Sequence, residues 1–173
     1  MSKMTFILGG ARSGKSRYAA EIAKKLGKKT IFIATAAALD DEMKERIRLH
    51  KISRPKGWGL IEEPMDLSGV IVGLKPTYDV AIIDCIGLWV CNLLMADMKD
   101  DAIEKRIKKL TGSIFKAKAG LVVIVSNEVG GGIVPADPLS RRFRDLLGLA
   151  NQMIAAKAES VIVMQAGIPV KIK

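Results

Sequence analysis

The stretch Gly9-Gly10-Ala11-Arg12-Ser13-Gly14-Lys15-Ser16 combines residue types and spacing that suit one task, holding phosphate. It fits the pattern G-x-x-x-x-G-K-[ST], in which glycines bring backbone N–H groups close to an anion, the lysine reaches β- and γ-phosphates, and the hydroxyl ligates Mg²⁺. A strand turning into a helix at this point would aim the positive end of the helix dipole at the same anion. A carboxylate at the end of a neighbouring strand completes the Mg²⁺ shell in such proteins, and Asp84 closes the apolar run Asp79-Val80-Ala81-Ile82-Ile83-Asp84. Ser16 and Asp84 are therefore the candidate metal ligands; a strand-end aspartate that caps the next turn is the other reading of Asp84.

His50, the only histidine, lies in Arg46-Ile47-Arg48-Leu49-His50-Lys51-Ile52-Ser53-Arg54-Pro55. Positions 46, 50 and 54 are four apart and share one face if the helix runs that far. Cations on both sides lower the pKa of an imidazole, and a neutral imidazole is a nucleophile toward phosphorus. Spacing alone leaves two readings open, a surface histidine on a basic helix and a nucleophile with cations around it. The segment Asn127-Glu128-Val129-Gly130-Gly131-Gly132-Ile133-Val134-Pro135 follows an apolar run and reads either as a pocket wall or lid, or as a plain connection. Ligands of open α/β sheets bind beyond the carboxyl ends of strands, which is where this segment falls. Cys85 and Cys91 read as small buried residues, and Trp58 and Trp89 as core or pocket wall.

The elements that must position these groups follow from periodicity. Strands are expected over Thr5–Leu8, Thr30–Ala34, Asp79–Asp84, Leu121–Val125 and Ser160–Met164, with a shorter one at Leu60–Glu62 and an edge strand near Ile168–Lys173. Helices are expected after the phosphate loop, from Leu39 to about Arg54 where Pro55 stops it, around Leu88–Met95, over Ala102–Lys118 and over Leu139–Ala158. Continuous apolar strands alternating with helices predict an α/β fold, a mostly parallel central sheet with helices on both faces and a C-terminal edge strand.

At 173 residues, with 49% hydrophobic residues, the chain reads as one domain over 1–173, and disorder is excluded. No apolar run is long enough to span a bilayer, the start Met1-Ser2-Lys3-Met4 does not read as a signal peptide, and two cysteines do not make a disulfide framework. A cytoplasmic location is the expectation. The net charge of +10 is compatible with nucleic acid, an acidic membrane surface or anionic small molecules. Only 5% of residues are aromatic, and Lys105-Arg106-Ile107-Lys108-Lys109 reads as a solvated helix face, so no nucleic-acid partner is expected.

Blocks along nearly the whole chain resemble the bifunctional adenosylcobinamide kinase / adenosylcobinamide-phosphate guanylyltransferase family of cobalamin biosynthesis. They are Gly9–Ser16, Ile33-Ala34-Thr35, Leu39-Asp40-Asp41-Glu42-Met43, Arg46-Ile47, His50-Lys51, Arg54-Pro55 and Trp58. Further on come Asn127–Gly130, Gly132–Pro135, Phe143-Arg144-Asp145, Asn151-Gln152, Gly167-Ile168 and Val170–Lys173. The phosphate loop is shared by many families; the blocks over 39–58 and 127–135 are more specific. The resemblance implies a single RecA-like P-loop NTPase domain. It also implies two reactions: phosphorylation of adenosylcobinamide by a nucleoside triphosphate (GTP or ATP), then transfer of GMP from GTP to that phosphate, giving adenosyl-GDP-cobinamide. The family's GMP-carrying histidine falls on His50, with Lys15 as the other catalytic group. Family nucleotide contacts fall on Gly9, Gly10, Ala11, Arg12, Ser13, Gly14, Lys15 and Ser16, on Ala34, Thr35 and Ala36, on Lys51, Ile52, Ser53 and Arg54, and on Glu62 and Asp84. Mg²⁺ as cofactor and a homotrimer are also implied. Leu49, Asp84 and Gly131 depart from the family pattern without removing a named group. Two other readings of the same loop are a small-metabolite kinase without guanylyl transfer and a nucleic-acid-binding RecA-like ATPase.

Overall fold

Runs of β-branched residues such as Val122-Val123-Ile124-Val125 have no polar face, so they can only be strands buried on both sides. The computed structural model describes residues 2–26, 29–37, 41–53 and 55–173, and of the side chains of Arg46, His50 and Ser53 it gives no description. Seven strands form one sheet in the order β3-β2-β4-β5-β1-β6-β7. They are β1 (Lys3–Gly9), β2 (Thr30–Ala34), β3 (Gly59–Glu62), β4 (Val80–Asp84), β5 (Leu121–Asn127), β6 (Ser160–Gln165) and β7 (Ile168–Lys171). All neighbours pair in parallel except β6 and β7. Ala166 and Gly167 connect those two with φ of 50° and 83°, the positive pair that a two-residue hairpin needs to match strand twist.

The helices are α1 (Lys15–Leu26), α2 (Asp41–Ser53), α3 (Leu67–Gly73), α4 (Ile86–Met95), α5 (Asp100–Ile114) and α6 (Pro138–Lys157). One face of the sheet buries Ile7, Val80, Ile82, Val123 and Val125 with Ala19 and Ala23 of α1. The other buries Phe6, Ile83 and Ile124 against Leu67 and Ile71 of α3, Trp89 and Leu93 of α4, Ile107 and Leu110 of α5, and Leu147 and Ile154 of α6. Full burial of each such side chain contributes about 1.5–3 kcal/mol. The parallel sheet with helices on both faces and an edge strand at the C-terminal end is as expected from the sequence. Three particulars differ. α3 has no counterpart among the expected helices. α5 ends at Ile114 rather than Lys118, although Phe115 and Ala117 still pack against the core beyond it. Leu39 and Arg54, the expected ends of the second helix, lie outside the described residues.

Lys105 and Lys108 pair one turn back with Asp101 and Glu104 on the exposed side of α5, which agrees with the solvated-face reading of this basic run. No helix among the described residues is long and apolar enough to cross a membrane.

Two buried polar ties fix the carboxyl ends of the strands. Thr35, fully buried just past β2, donates its hydroxyl to Cys85 O at 2.7 Å and accepts the Cys85 N–H at 2.8 Å. Asn92 of α4 donates to Thr35 O at 2.8 Å and Pro64 O at 3.1 Å. In β5, Ser126 Oγ donates to Asn151 Oδ1 at 2.7 Å, and Asn151 Nδ2 donates to Asn127 O at 3.0 Å. Replacing Asn92 with alanine removes the donor from two carbonyls, that of Thr35 in a buried bond and that of Pro64 in a part-buried one. Urea denaturation of Asn92→Ala should show a loss of about 2 kcal/mol, with a fall in Tm of roughly 4–8 °C for a chain of this size.

Candidate functional site

The phosphate loop is held by its neighbours on three sides. Gly9 pairs with Asn127 of β5 and with Met164 of β6, and its carbonyl accepts from Glu128 N at 3.0 Å. Gly167 N donates to Ser13 O at 3.1 Å, which ties the β6–β7 hairpin to the loop. A Cβ on Gly9 would lie 2.5 Å from Met164 O, and Gly14 has φ of +93°, so both positions require glycine. The loop delivers the chain directly into α1, whose first residue is Lys15. Lys15 is buried and its Nζ donates to Gly10 O at 2.6 Å, so the ammonium is folded over the loop it belongs to. Burial holds its pKa below the ordinary lysine value, against the opposing pull of Cys85 and Asp84.

Two cavities meet at this loop. One, of about 580 Å³, is lined by Ala11, Arg12, Ser13, Gly14, Lys15, Ser16 and Arg17, with Leu49, Asp84 and Asn127. The other, of about 210 Å³, is lined by Phe32, Ala34, Ala36, Met43, Ile47, Cys85 and Leu88, and shares Ser16, Asp84 and Asn127 with the first. The first is walled by polar backbone and cations, the second by apolar side chains. Ser16 and Asp84 thus stand where the two join. A hydroxyl, one carboxylate and open space suit a hard cation that keeps most of its ligands as phosphate oxygen and water, which is the habit of Mg²⁺. No group of three or more His, Cys, Asp or Glu able to cage a metal occurs among the described residues.

Of the other expected site residues, Ala34 and Ala36 line the apolar cavity. Gly9 and Gly10 flank the phosphate cavity at the loop's entry. Thr35 is fully buried, with its hydroxyl, N–H and carbonyl all bonded inside the protein; it positions the corner between β2 and β4. Lys51 and Glu62 come together in an ion pair of 2.7 Å, both half exposed, and Ile52 is exposed. Arg46, His50 and Ser53 belong to α2, but their side chains lie outside the described residues, as does Arg54. The helix that carries them borders both cavities, through Met43 and Ile47 on one and Leu49 on the other. Past Asn127 the glycine-rich segment is exposed, Ile133 to 97%.

Phe32, Met43, Ile47 and Leu88 were not anticipated as lining residues. The available signal was Met43 and Ile47, apolar residues one turn apart on a mostly charged helix. Cys85 is the adjoining wall, and burial, then the charge of Asp84, pushes its thiol up to about 12.

Residues 5–172 match the family model described as "Cobinamide kinase / cobinamide phosphate guanyltransferase". The chain is 39% identical over 169 residues to the "Bifunctional adenosylcobalamin biosynthesis protein CobP" of Pseudomonas aeruginosa, covering 96% of this chain and 95% of that protein. It is 39% identical over 182 residues to the corresponding CobU protein of Salmonella typhimurium, covering 98% and 99%. Among solved structures, it is similar to an ATPase of a type III secretion system (TM-score 0.56, 12% identity, 98% of this chain and 56% of that one). A RadB recombinase is also similar (TM-score 0.55, 12% identity, 93% and 73%). These two share the fold alone. The sequence match over almost every residue of the sheet and its loops settles the closer relation: the chain belongs to the cobinamide kinase / cobinamide phosphate guanyltransferase family.

Proposed function

We propose that this chain phosphorylates the aminopropanol hydroxyl of adenosylcobinamide with GTP or ATP, and then transfers GMP from GTP to the new phosphate to give adenosyl-GDP-cobinamide. The observation that carries this reading is the junction of a phosphate loop with α2, the helix of His50, around two connected cavities. A kinase needs only the first of these.

The triphosphate lies along Gly9–Ser16, its charge met by loop N–H groups and Lys15. Ser16 and Asp84 hold Mg²⁺, which neutralises developing phosphoryl charge when bound. The apolar cavity beside Ala34 and Ala36 suits the flat face of a purine base. In the kinase step the acceptor oxygen bonds to the γ-phosphorus, the bond to the bridging oxygen breaks and nucleoside diphosphate leaves. In the second reaction a ring nitrogen of His50 bonds to the α-phosphorus and pyrophosphate leaves. An oxygen of cobinamide phosphate then attacks this phosphoramidate, the P–N bond breaks and the imidazole is restored. Arg46, Lys51 and Arg54 meet charge on the phosphoryl oxygens. The Lys51–Glu62 pair keeps that lysine near the mouth, and Ile52 and Ser53 complete the turn of α2 there. The reading carries with it a homotrimer, a cytoplasmic location where GTP is supplied, and no nucleic-acid partner.

Incubation with GTP labelled at the α-phosphate should give a protein adduct that acid destroys and alkali spares. His50→Ala should lose the adduct and slow GMP transfer on the order of 10³-fold or more, while phosphorylation of adenosylcobinamide persists. An adduct that survives in His50→Ala removes the nucleophile assignment from His50, whereas a parent protein that forms no adduct leaves a kinase alone.

Lys15→Met should slow both reactions by roughly 10²–10³-fold, the usual effect of losing one preorganised donor. Its effect on folding runs the other way. The folded-state pKa of Lys15 lies below the unfolded value, so its positive charge opposes folding at low pH, and the opposition fades as pH rises through the folded value. Differential scanning calorimetry without nucleotide should therefore find Lys15→Met at least as stable as the parent at neutral pH. The stabilisation that GTP gives the parent should be missing from the variant.

A further inference from the structure

Arg144 is the residue of the Phe143-Arg144-Asp145 block that the roles above leave unused. Its Nη1 is buried and has no hydrogen-bond partner among the described residues. The arginines beside it on α6 are engaged: Arg141 donates to the carbonyls of Pro135 and Ala136, and Arg142 to the Asp100 carboxylate and the Met98 carbonyl. A buried guanidinium nitrogen without an acceptor costs stability, so its retention needs another reason.

Its place in the fold supplies one. Asn151, seven residues later and within about 20° of the same line along the helix, meets Ser126 and Asn127 at the carboxyl end of β5. Arg144 therefore stands about 10 Å toward the start of α6 from that contact. Because α6 returns the chain from the end of β5 to the start of β6, this is beyond the strand ends. Leu147, one turn from Arg144, approaches the start of α4: a Cβ on Gly87 would lie 3.6 Å from Leu147 Cδ2 and 3.4 Å from Asn127 Nδ2. Asn127 in turn lines both cavities. Lys15 and α1 lie against one face of the sheet and α6 against the other, so Arg144 stands on the side opposite the phosphate loop, one turn of α6 from the Leu147–Gly87–Asn127 contact.

We propose that Arg144 is a further substrate-binding residue, whose guanidinium holds the phosphoryl oxygens of the acceptor, the phosphomonoester made in the first reaction and consumed in the second. This rests on the functional reading above. The phosphates of GTP already have the loop and Lys15, which leaves the phosphate of the acceptor to be met by another cation, and a planar fork of donors suits a phosphomonoester.

The test compares the parent protein with Arg144→Met and Arg144→Lys. Equilibrium binding of adenosylcobinamide phosphate should weaken at least ~30-fold in Arg144→Met and be partly restored in Arg144→Lys, while binding of unphosphorylated adenosylcobinamide and of GTP stays within about threefold of the parent. The ligand-free Tm of Arg144→Met should equal or exceed that of the parent, since an unpaired buried charge is removed. A lower Tm, or failure to fold, assigns Arg144 a structural role and overturns the proposal. So does a loss of GTP binding with acceptor binding intact. If the parent binds the acceptor phosphate and Arg144→Met binds it equally well, this proposal fails and the functional reading stands. If the parent does not bind it at all, the functional reading fails and takes this proposal with it.

Discussion

Parallel register brings Gly9 level with Asn127, and Ala34 level with Asp84. That alignment is the constraint on which the molecule's chemistry depends. Because β1 to β6 all point the same way, every strand ends at one edge, and every loop that leaves a strand leaves it there. The loop after β1, the corner after β2, the aspartate of β4 and the asparagine of β5 then share a common space, although long stretches of chain separate them. Hydrogen bonds across the strand ends keep the arrangement from opening: Thr35 to Cys85, Asn92 to Thr35, Asn151 to Asn127. The strand ends are thus tied by side chains that donate to backbone carbonyls, two of them buried bonds and one part-buried.

The close approach at Gly9 shows how little tolerance this permits. The carbonyl of Met164 occupies the place a side chain would take, so the phosphate loop is seated directly on β6. The β6–β7 hairpin reaches it again through Gly167. Strand β7 lies at the sheet's edge with every residue exposed, yet its turn belongs to the floor of the phosphate site. This gives a structural reason for Gly167-Ile168 to form one of the sequence blocks.

Much of this was legible in the sequence. The apolar runs over 30–34, 79–84 and 121–125 read as buried strands, and Gly9–Ser16 reads as a turn from a strand into a helix, as it is between β1 and α1. What remained hidden was set by tertiary packing. α3 consists of Leu67-Ser68-Gly69-Val70-Ile71-Val72-Gly73, two glycines and three β-branched residues in one short segment, with no helical signal of its own. It forms because Leu67 and Ile71 are buried on the core and Asp66 caps Gly69 N at 3.2 Å. The apolar cavity was invisible for a similar reason. Met43 and Ile47 share a mostly charged helix with two further apolar residues, Leu49 and Ile52, and only the fold sets the first two beside Phe32 and Leu88. Thr35 illustrates the reverse error of emphasis: its neighbours Ala34 and Ala36 face the cavity, while Thr35 points into the protein and holds the corner.

Cys85 adjoins Asp84, lines a cavity that nucleotide would enter, and yet is one of the more inert groups in the molecule. Low dielectric surroundings and a neighbouring carboxylate keep its proton in place up to about pH 12, and the thiolate is the form that reacts with oxidants and alkylating agents. The wall beside Asp84 is therefore chemically silent under conditions that oxidise exposed thiols. A small, soft, compressible side chain can pack there without exposing the site to redox state. Reaction of this thiol with a bulky reagent would report a transient parting of β4 from its surroundings rather than the ordinary chemistry of a surface cysteine.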